Sequence, residues 1–269
     1  MNQGRYALGE YMNELRARGG KAFMPFITCG HPSLRSTGEI AAMLRDAGAD
    51  CLELGIPFSD PVADGAVIQA SSQAALERGA SFSAALRLVE RAARTGLRVI
   101  PMSYANTVLV HGLSRAARRL ADAGAQGLIV PDLPLEESAV WRQALDPAGI
   151  ALVLFAAPTT GRARLAAIGR MTRGFVYYVS LTGVTGERSR LPAGLAAHLG
   201  MVRRLTAAPV CVGFGVSTPA QAKAVARHAD GVIVGSALVR RLGEWESGMG
   251  KRRAIARYVR DMARAVHGK

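Results

Sequence analysis

The same junction between a helix and a strand occurs twice in this chain. Residues 44–52 read LRDAGADCL and residues 120–128 read LADAGAQGL, so each begins as the end of a helix and finishes in apolar residues. The central glycine, Gly48 in the first copy, is the residue type that most often ends a helix, because it accepts a left-handed backbone. A repeated helix–glycine–strand junction is typical of successive strand–helix units around a parallel sheet.

Apolar runs of strand length continue this alternation along the chain. We predict strands at Ala22–Thr28, Cys51–Ile56, Leu97–Met102, Gln126–Val130, Ile150–Phe155, Gly174–Ser180, Pro209–Val212 and Gly231–Val234. Helices are predicted between them, for example at Ser81–Thr95, Leu113–Ala123 and Pro219–Arg227, and an extra amphipathic helix precedes the first strand. This α/β order in 269 residues predicts a single (βα)8 TIM barrel over residues 1–269, with short inserted helices. A doubly wound sheet is the alternative, but no GxGxxG fingerprint follows the first strand.

Composition and cysteine spacing predict a cytoplasmic protein. No apolar run reaches the length of a membrane span, because Arg, Asp or Gly interrupts each one. The N-terminus lacks the apolar core of a signal peptide. Cys29, Cys51 and Cys211 lie far apart without a metal-binding spacing, so we expect reduced core thiols and no metal site.

The net charge of +14 raises the question of a nucleic-acid partner. The cations are scattered over many predicted helices, and no aromatic residues alternate with them in a pattern for stacking on bases. We therefore predict no nucleic-acid partner. A general attraction for anionic metabolites fits this charge better.

The second predicted strand and the loop after it hold two carboxylates in unusual places. The two-residue period of a strand directs Glu53 to the face opposite Leu52 and Leu54, and in a barrel that face points inward. A buried ionisable side chain is costly unless it is paired or has a function. Glu53 lies near the carboxyl end of its strand, where barrels bind ligands, and Asp64 follows on the loop. A structural ion pair for Glu53 and a simple turn for Asp64 are the alternatives.

Glycine-bearing segments follow the last two strands. Residues 212–216 read VGFGV and residues 234–239 read VGSALV, in which Gly235 and Ser236 begin a short helix. Barrels often bind phosphate with the loops after strands 7 and 8. A further segment, TGVTG at 182–186, can add backbone N–H donors. Tight turns without a ligand are the alternative for all three segments.

Five segments occur, in the same order, in one enzyme family. They are LELGIPFSDPVADG at 52–65, PMSYAN at 101–106, VPDLPLEES at 130–138, YYVSLTGVTG at 177–186 and VGFGVSTPAQ at 212–221. On these segments the chain resembles the α subunit of tryptophan synthase, essentially from end to end. The resemblance implies a lyase that splits indole-3-glycerol phosphate into indole and glyceraldehyde 3-phosphate by retro-aldol cleavage, without a cofactor. It also implies a pyridoxal-phosphate-dependent β subunit as partner, in an α2β2 heterotetramer that makes tryptophan.

The resemblance implies roles for residues around the indole ring. Glu53 matches the acid–base carboxylate, and Asp64 matches the loop carboxylate that holds the indole N–H. Tyr177 matches a tyrosine that lines the same cavity. Phe26 and Tyr104 occupy family positions near the indole, although core packing alone is an open alternative for these three aromatic residues.

The resemblance also implies roles at the phosphate. Gly186, Gly215, Gly235 and Ser236 match the phosphate-binding positions. Thr185 matches a loop threonine that closes over the site together with Asp64.

Two other functions remain open from the sequence. One is a stand-alone lyase that releases free indole, and the other is a regulator that binds a phosphorylated metabolite without turnover. The presence of both Glu53 and Asp64 argues against the regulator, because a protein without activity is free to lose them. A neighbouring gene for the β subunit would argue against the stand-alone enzyme.

Overall fold

Eight parallel strands close into a barrel in the computed structural model, which describes residues 6–179, 194–213 and 215–268. The strands are β1 (Ala22–Thr28), β2 (Cys51–Gly55), β3 (Arg98–Met102), β4 (Gly127–Ile129), β5 (Ala151–Ala156), β6 (Val176–Val179), β7 (Val210–Gly213) and β8 (Gly231–Val234). Each strand pairs with its neighbours in chain order, and β8 closes the barrel by pairing with β1. The predicted (βα)8 barrel is confirmed, and its closure excludes the doubly wound sheet.

Helices surround the barrel and connect its strands. They are α1 (Ala7–Ala17), α2 (Ser36–Asp46), α3 (Ala66–Glu77), α4 (Phe82–Ala93), α5 (Ala105–Leu109), α6 (Leu113–Asp122), α7 (Ser138–Leu145), α8 (Arg162–Met171), α9 (Leu195–Leu205), α10 (Pro219–Ala226), α11 (Ser236–Leu242) and α12 (Met249–His267). The extra N-terminal helix is α1. The inserted helices are also confirmed, since two helices follow each of β2, β3 and β8. None of the helices within the described ranges is long and apolar enough to cross a membrane.

The two repeated junctions have the same backbone geometry. Gly48 after α2 has a φ of +101°, and Gly124 after α6 has a φ of +88°. In both junctions the residue after the glycine donates its N–H, at 3.0 Å, to the carbonyl oxygen five residues earlier. This is the Schellman arrangement that ends a helix and turns the chain into the next strand. The sequence repeat therefore marks two equivalent strand–helix units.

The strands separate two layers of buried side chains. Leu52 and Leu54 of β2 pack outward against the helices, whereas Cys51 belongs to a cluster inside the barrel. The three cysteines are free and buried, as predicted. At the amino end of the strands, the buried Leu8 of α1 fills the barrel. A Cβ added at Gly127 or Gly174 would lie 2.9 Å from this leucine side chain. Helix α1 therefore closes one end of the barrel and leaves the other end for ligands.

Candidate active site

Glu53 projects from β2 into the barrel, as its position in the strand predicts. Its side chain is 1% exposed. The glycine two residues later on the same strand makes room for an aromatic neighbour. A Cβ at Gly55 would lie 2.6 Å from the ring of Phe26, which extends from β1 beside Glu53 in the register of the sheet. The absence of a side chain at Gly55 thus allows Phe26 and Glu53 to share the interior.

Glu53 has few hydrogen-bond partners for a buried carboxyl. The hydroxyl of Tyr177 donates to its Oε2 at 3.4 Å, which is long for such a bond. Its Oε1 is buried and receives no hydrogen bond from the described residues. Within the same ranges no Lys, Arg or His forms an ion pair with Glu53, so the alternative of a structural ion pair has no support there.

This environment raises the pKa of Glu53 to about 8. Burial is the main cause, because it disfavours the charged form, and the negative charge of Asp64 adds to it. The hydrogen bond from Tyr177 acts in the opposite direction. Glu53 is therefore largely protonated at neutral pH and can donate a proton.

Tyr177 reaches Glu53 from β6, across the barrel interior. Its ring lies 4.7 Å from the ring of Phe155 and 6.3 Å from that of Phe175, measured between centroids. A Cβ added at Gly213 of β7 would come within 2.5 Å of the Tyr177 hydroxyl oxygen. The first glycine of VGFGV therefore makes room for this tyrosine, a role that the sequence pattern does not reveal.

Asp64 lies on the loop between β2 and α3. Its carboxyl group is nearly buried, at 9% exposure. Burial raises the pKa of Asp64 to about 6, while a hydrogen bond with Tyr104 acts to lower it. Asp64 is therefore mostly ionised at neutral pH, in contrast to Glu53. Two carboxyls with separated pKa values are a common basis for dividing acid and base roles.

Tyr104 lies behind Asp64 and outside the lining of the cavity. It is 2% exposed, and its ring stacks on Phe58 at 5.1 Å between centroids. The backbone N–H of Ala63 donates to its hydroxyl at 3.0 Å. Tyr104 thus holds the loop that carries Asp64, and the structure does not bring it to the same surface as Phe26.

A single cavity at the carboxyl end of the strands contains most of the predicted residues. It encloses about 80 Å³, whereas one water molecule needs only about 10–15 Å³. Seven predicted residues line it: Phe26, Glu53, Asp64, Tyr177, Gly215, Gly235 and Ser236. The two carboxyls and the glycine segments after β7 and β8 therefore share one site. Thr185 and Gly186 lie outside the described residues.

One part of the cavity, its glycine end, is formed by Gly215, Gly235 and Ser236. It differs from the carboxylate end, which is formed by Glu53 and Asp64. Gly215 has a φ of +79°, which favours glycine, and Gly235 directly precedes α11, as predicted. A Cβ at Gly235 would make only ordinary contacts, 3.7 Å from Phe26 and from Ile68. Packing alone therefore does not require a glycine at position 235.

The sequence patterns did not indicate several of the residues that line the cavity. Met102 and Ile233 lie on the inner faces of β3 and β8, where the two-residue period could have found them. Ile68 lies in the first turn of α3. Ser217 and Arg240 also line the cavity, and no local pattern in the sequence distinguishes them from surface residues.

The fold and the site together define a TIM-barrel enzyme with two carboxyls of separated pKa values in a partly apolar cavity. Comparison with known proteins identifies the family. The family model described as "Tryptophan synthase alpha chain" matches residues 12–267. The chain belongs to the tryptophan synthase alpha chain family.

Relatives and solved structures agree with this family. The tryptophan synthase alpha chain of Roseiflexus castenholzii is 48% identical over 84% of this chain and 87% of its own length. That of a Roseiflexus species is 43% identical over 97% and 99%. A structure of Mycobacterium tuberculosis tryptophan synthase aligns with a TM-score of 0.88 at 36% identity, covering 97% of this chain and 98% of that chain. The subunit alpha structure from Legionella pneumophila gives 0.89 at 32% identity, covering 98% and 99%.

Membership of this family determines the reaction. The chain is a lyase of tryptophan biosynthesis that cleaves indole-3-glycerol phosphate, and a β subunit is its partner. The relatives are alpha chains of tryptophan synthase, so neither the stand-alone lyase nor the regulator without turnover is favoured.

Proposed function

We propose that Glu53 is the acid–base residue of the retro-aldol cleavage. The observation that carries this proposal is the state of its carboxyl group. It is buried in the cavity, its Oε1 accepts no hydrogen bond from the described residues, and its pKa is raised to about 8. A protonated carboxyl with an uncommitted oxygen is suited to deliver a proton to a bound substrate.

Glu53 alone can carry out both proton transfers of the cleavage. Protonated Glu53 donates its proton to carbon 3 of the indole, which becomes an indolenine with a positive charge on its nitrogen. The resulting carboxylate accepts the proton of the side-chain hydroxyl next to carbon 3. The carbon–carbon bond then breaks, its electrons restore the indole ring, and the aldehyde of glyceraldehyde 3-phosphate forms. Glu53 ends the cycle protonated, as it began.

Asp64 has the complementary role in this proposal. Its pKa of about 6 leaves a carboxylate at neutral pH. A carboxylate accepts a hydrogen bond from the indole N–H and stabilises the positive charge on the protonated ring. Phe26 lines the same cavity and supplies an apolar surface for the indole. Tyr177 orients Glu53 through its hydroxyl, and Tyr104 acts by holding the Asp64 loop.

The phosphate of the substrate is proposed to bind at the glycine end of the cavity. Gly215, Gly235 and Ser236 line that end, and a backbone without side chains lets a phosphate approach its N–H groups closely. Thr185 and Gly186 complete this part of the proposal by their positions in the family pattern.

The partner is proposed to bind the loops that follow β2, β3 and β4. Hydrogen bonds join these loops: Ala63 N–H donates to Tyr104, and Ala105 N–H donates to Asp132. Large apolar side chains are exposed after the same three strands, at Val62, Leu109, Val110 and Val140. Exposed apolar side chains on neighbouring segments suit a protein partner. We propose a pyridoxal-phosphate-dependent β subunit there, in an α2β2 assembly.

The proposal also covers the domain organisation and the cellular compartment. Residues 1–269 act as one catalytic unit built on the barrel. The enzyme works in the cytoplasm, a compartment that fits its three free, buried cysteines.

The variant Glu53→Gln tests the proposed mechanism. Glutamine keeps the size of the side chain but cannot exchange protons, so single-turnover cleavage should fall by about 10²–10⁴-fold. The affinity for glycerol 3-phosphate should change little, because its proposed phosphate contacts at Gly215, Gly235 and Ser236 remain. Glu90→Gln, on the exposed face of α4, is the matched control and should keep full activity. Normal cleavage by Glu53→Gln would remove Glu53 from the mechanism.

Addition of the β subunit tests the proposed partner. Steady-state indole production by this chain should rise when the β subunit is present, because its contacts hold the loops after β2, β3 and β4 in one arrangement. Val62→Asp should abolish this activation and keep the basal rate. Equal, high turnover with and without the β subunit would favour a stand-alone enzyme.

A further inference from the structure

The cavity must accept a doubly charged phosphate although it already contains two carboxyl groups. Glu53 and Asp64 line one end of it. A phosphate monoester carries about 1.5–2 negative charges at neutral pH. Backbone N–H groups supply only partial positive charges, so a full positive charge near the glycine end would favour binding considerably.

Arg240 is the one positively charged residue among the described residues that line this cavity. It belongs to α11 and lies four residues after Ser236, which also lines the cavity. Residues four apart in a helix lie on the same face, one turn from each other. The backbone of α11 therefore directs Arg240 and Ser236 toward the same space, and Arg240 is exposed to solvent.

The next residue, Arg241, has a different environment. Its Nη1 donates to the carbonyl oxygen of Ala237 at 2.7 Å, and its guanidinium group lies 4.0 Å from the centroid of the Tyr258 ring on α12. Arg241 therefore packs between α11 and α12. Of the two adjacent arginines, only Arg240 lines the cavity.

We propose that Arg240 binds the phosphate dianion of the substrate at the mouth of the cavity and contributes the charge that selects phosphorylated substrates. This inference rests on the proposed phosphate end at Gly215, Gly235 and Ser236. It adds to that end a side chain whose long, flexible stem can follow the ligand. Arginine is well suited to this role, because its planar group can donate two parallel hydrogen bonds to a phosphate.

The test measures the binding of glycerol 3-phosphate and of indole by calorimetry. Arg240→Gln should weaken the binding of glycerol 3-phosphate by about 10-fold, the lower part of the range for a hydrogen bond to a charged group, because the site is open to solvent. Indole, which has no charge, should bind the variant as it binds the parent. In kinetics, KM should rise with kcat unchanged, as for an interaction made equally in the ground and transition states.

Three further variants make the result specific to Arg240. Arg240→Lys keeps the charge and should recover most of the affinity. Arg253→Gln, on the exposed face of α12, makes the same change in net charge far from the cavity and should bind glycerol 3-phosphate like the parent. Arg241→Gln should lower thermal stability, since it loses the contact with Tyr258, and leave phosphate affinity unchanged.

The salt dependence and the variant Gly235→Asp distinguish a wrong role for Arg240 from a wrong phosphate site. The affinity of the parent for glycerol 3-phosphate should decrease more steeply with salt than that of Arg240→Gln. Gly235→Asp adds a negative charge at the glycine end and should weaken binding strongly. If Gly235→Asp weakens binding but Arg240→Gln behaves like Arg253→Gln, the role of Arg240 is wrong and the phosphate site stands. If neither variant changes the affinity, the phosphate binds elsewhere and the proposed site itself fails.

Discussion

Two carboxyl groups three residues apart, one just before strand β2 and one within it, have pKa values that move in opposite directions. Burial acts to raise the pKa of Asp50, just before the strand, but hydrogen bonds outweigh this effect and leave the pKa below its ordinary value. Asp50 accepts hydrogen bonds from the Tyr11 hydroxyl at 2.8 Å, the Phe23 N–H at 2.7 Å and His267 Nε2 at 2.8 Å. Glu53, three residues later, receives one long hydrogen bond from the described residues, and burial prevails. The number of donors, more than burial, thus decides which carboxyl is ionised.

The difference matches the two tasks of a barrel. Asp50 connects α1, β1 and the end of α12 at the amino end of the strands, where contacts serve stability. Asp230 also stabilises this end of the barrel. It accepts a hydrogen bond from Val210 N–H at 2.9 Å and forms an ion pair with Arg203 at 3.2 Å. Glu53 and Asp64 at the other end keep raised pKa values instead. The stabilising contacts of Asp50 and Asp230 and the carboxyls with raised pKa values therefore lie at opposite ends of the barrel.

The largest effect should come from breaking the cluster at Asp50. Asp50→Asn removes the charge that His267 and Tyr11 share, and we expect the free energy of unfolding to fall by about 2–3 kcal/mol. The melting temperature should fall by about 2–4 °C for each kcal/mol lost. Cleavage per folded molecule should not change, because the site lies at the other end. Asp122→Asn, exposed on α6, is the control, and unchanged stability of Asp50→Asn would contradict the comparison.

The second effect is on the pH dependence of stability. Glu53 should make the folded protein less stable as the pH rises, whereas Asp50 should make it more stable. The ordinary pKa of a glutamate, 4.5, lies below the folded value of about 8 for Glu53. Between these pH values the folded state keeps a proton that the unfolded chain has lost, so rising pH destabilises the parent. Glu53→Gln lacks this proton. Its stability relative to the parent should therefore increase from pH 4.5 to pH 8, by up to about 1.4 kcal/mol for each pH unit.

Asp50 provides the contrast in the same experiment. Its folded pKa lies below the ordinary value of 3.8, so its contribution is complete above that pH and is lost as the pH falls through the folded value. The destabilisation by Asp50→Asn should therefore be constant from pH 5 to pH 8 and decrease only in acid. Denaturant unfolding across this range measures both differences. Parallel curves for Glu53→Gln and the parent would show that Glu53 is ionised in the folded enzyme.

The smallest effect should be a shift in the pH–rate profile. The acidic limb of kcat/KM should reflect Asp64, with its pKa of about 6, and the alkaline limb should reflect Glu53, near 8. Tyr104→Phe removes the hydrogen bond that acts to lower the pKa of Asp64, so the acidic limb should move up by less than about one unit. The phosphate of the substrate titrates identically in both proteins. Tyr177→Phe should move only the alkaline limb upward, and movement of the wrong limb would contradict these assignments.

Local sequence patterns were sufficient for the architecture and for the position of one key residue. The strand period and the repeated junctions predict eight strand–helix units, and Gly48 and Gly124 have the positive φ values that the junctions require. The same period correctly directs Glu53 inward from β2. Such properties depend on residues within a few positions of each other, so they can be read from the chain alone. The predicted roles of Thr185 and Gly186 stay predictions.

The tertiary structure determined the environment of Glu53. It also determined that the stabilising contacts and the cavity lie at opposite ends of the barrel. Tyr177 meets Glu53 although 124 positions separate them, and Gly213 makes room for it from a third strand. The contact of Tyr104 with the Asp64 loop and the place of Arg240 at the cavity mouth likewise depend on strands and loops that meet only when the barrel closes. A sequence records which groups can ionise. Their pKa values depend on burial and on donors from distant segments, and only the folded chain brings these together.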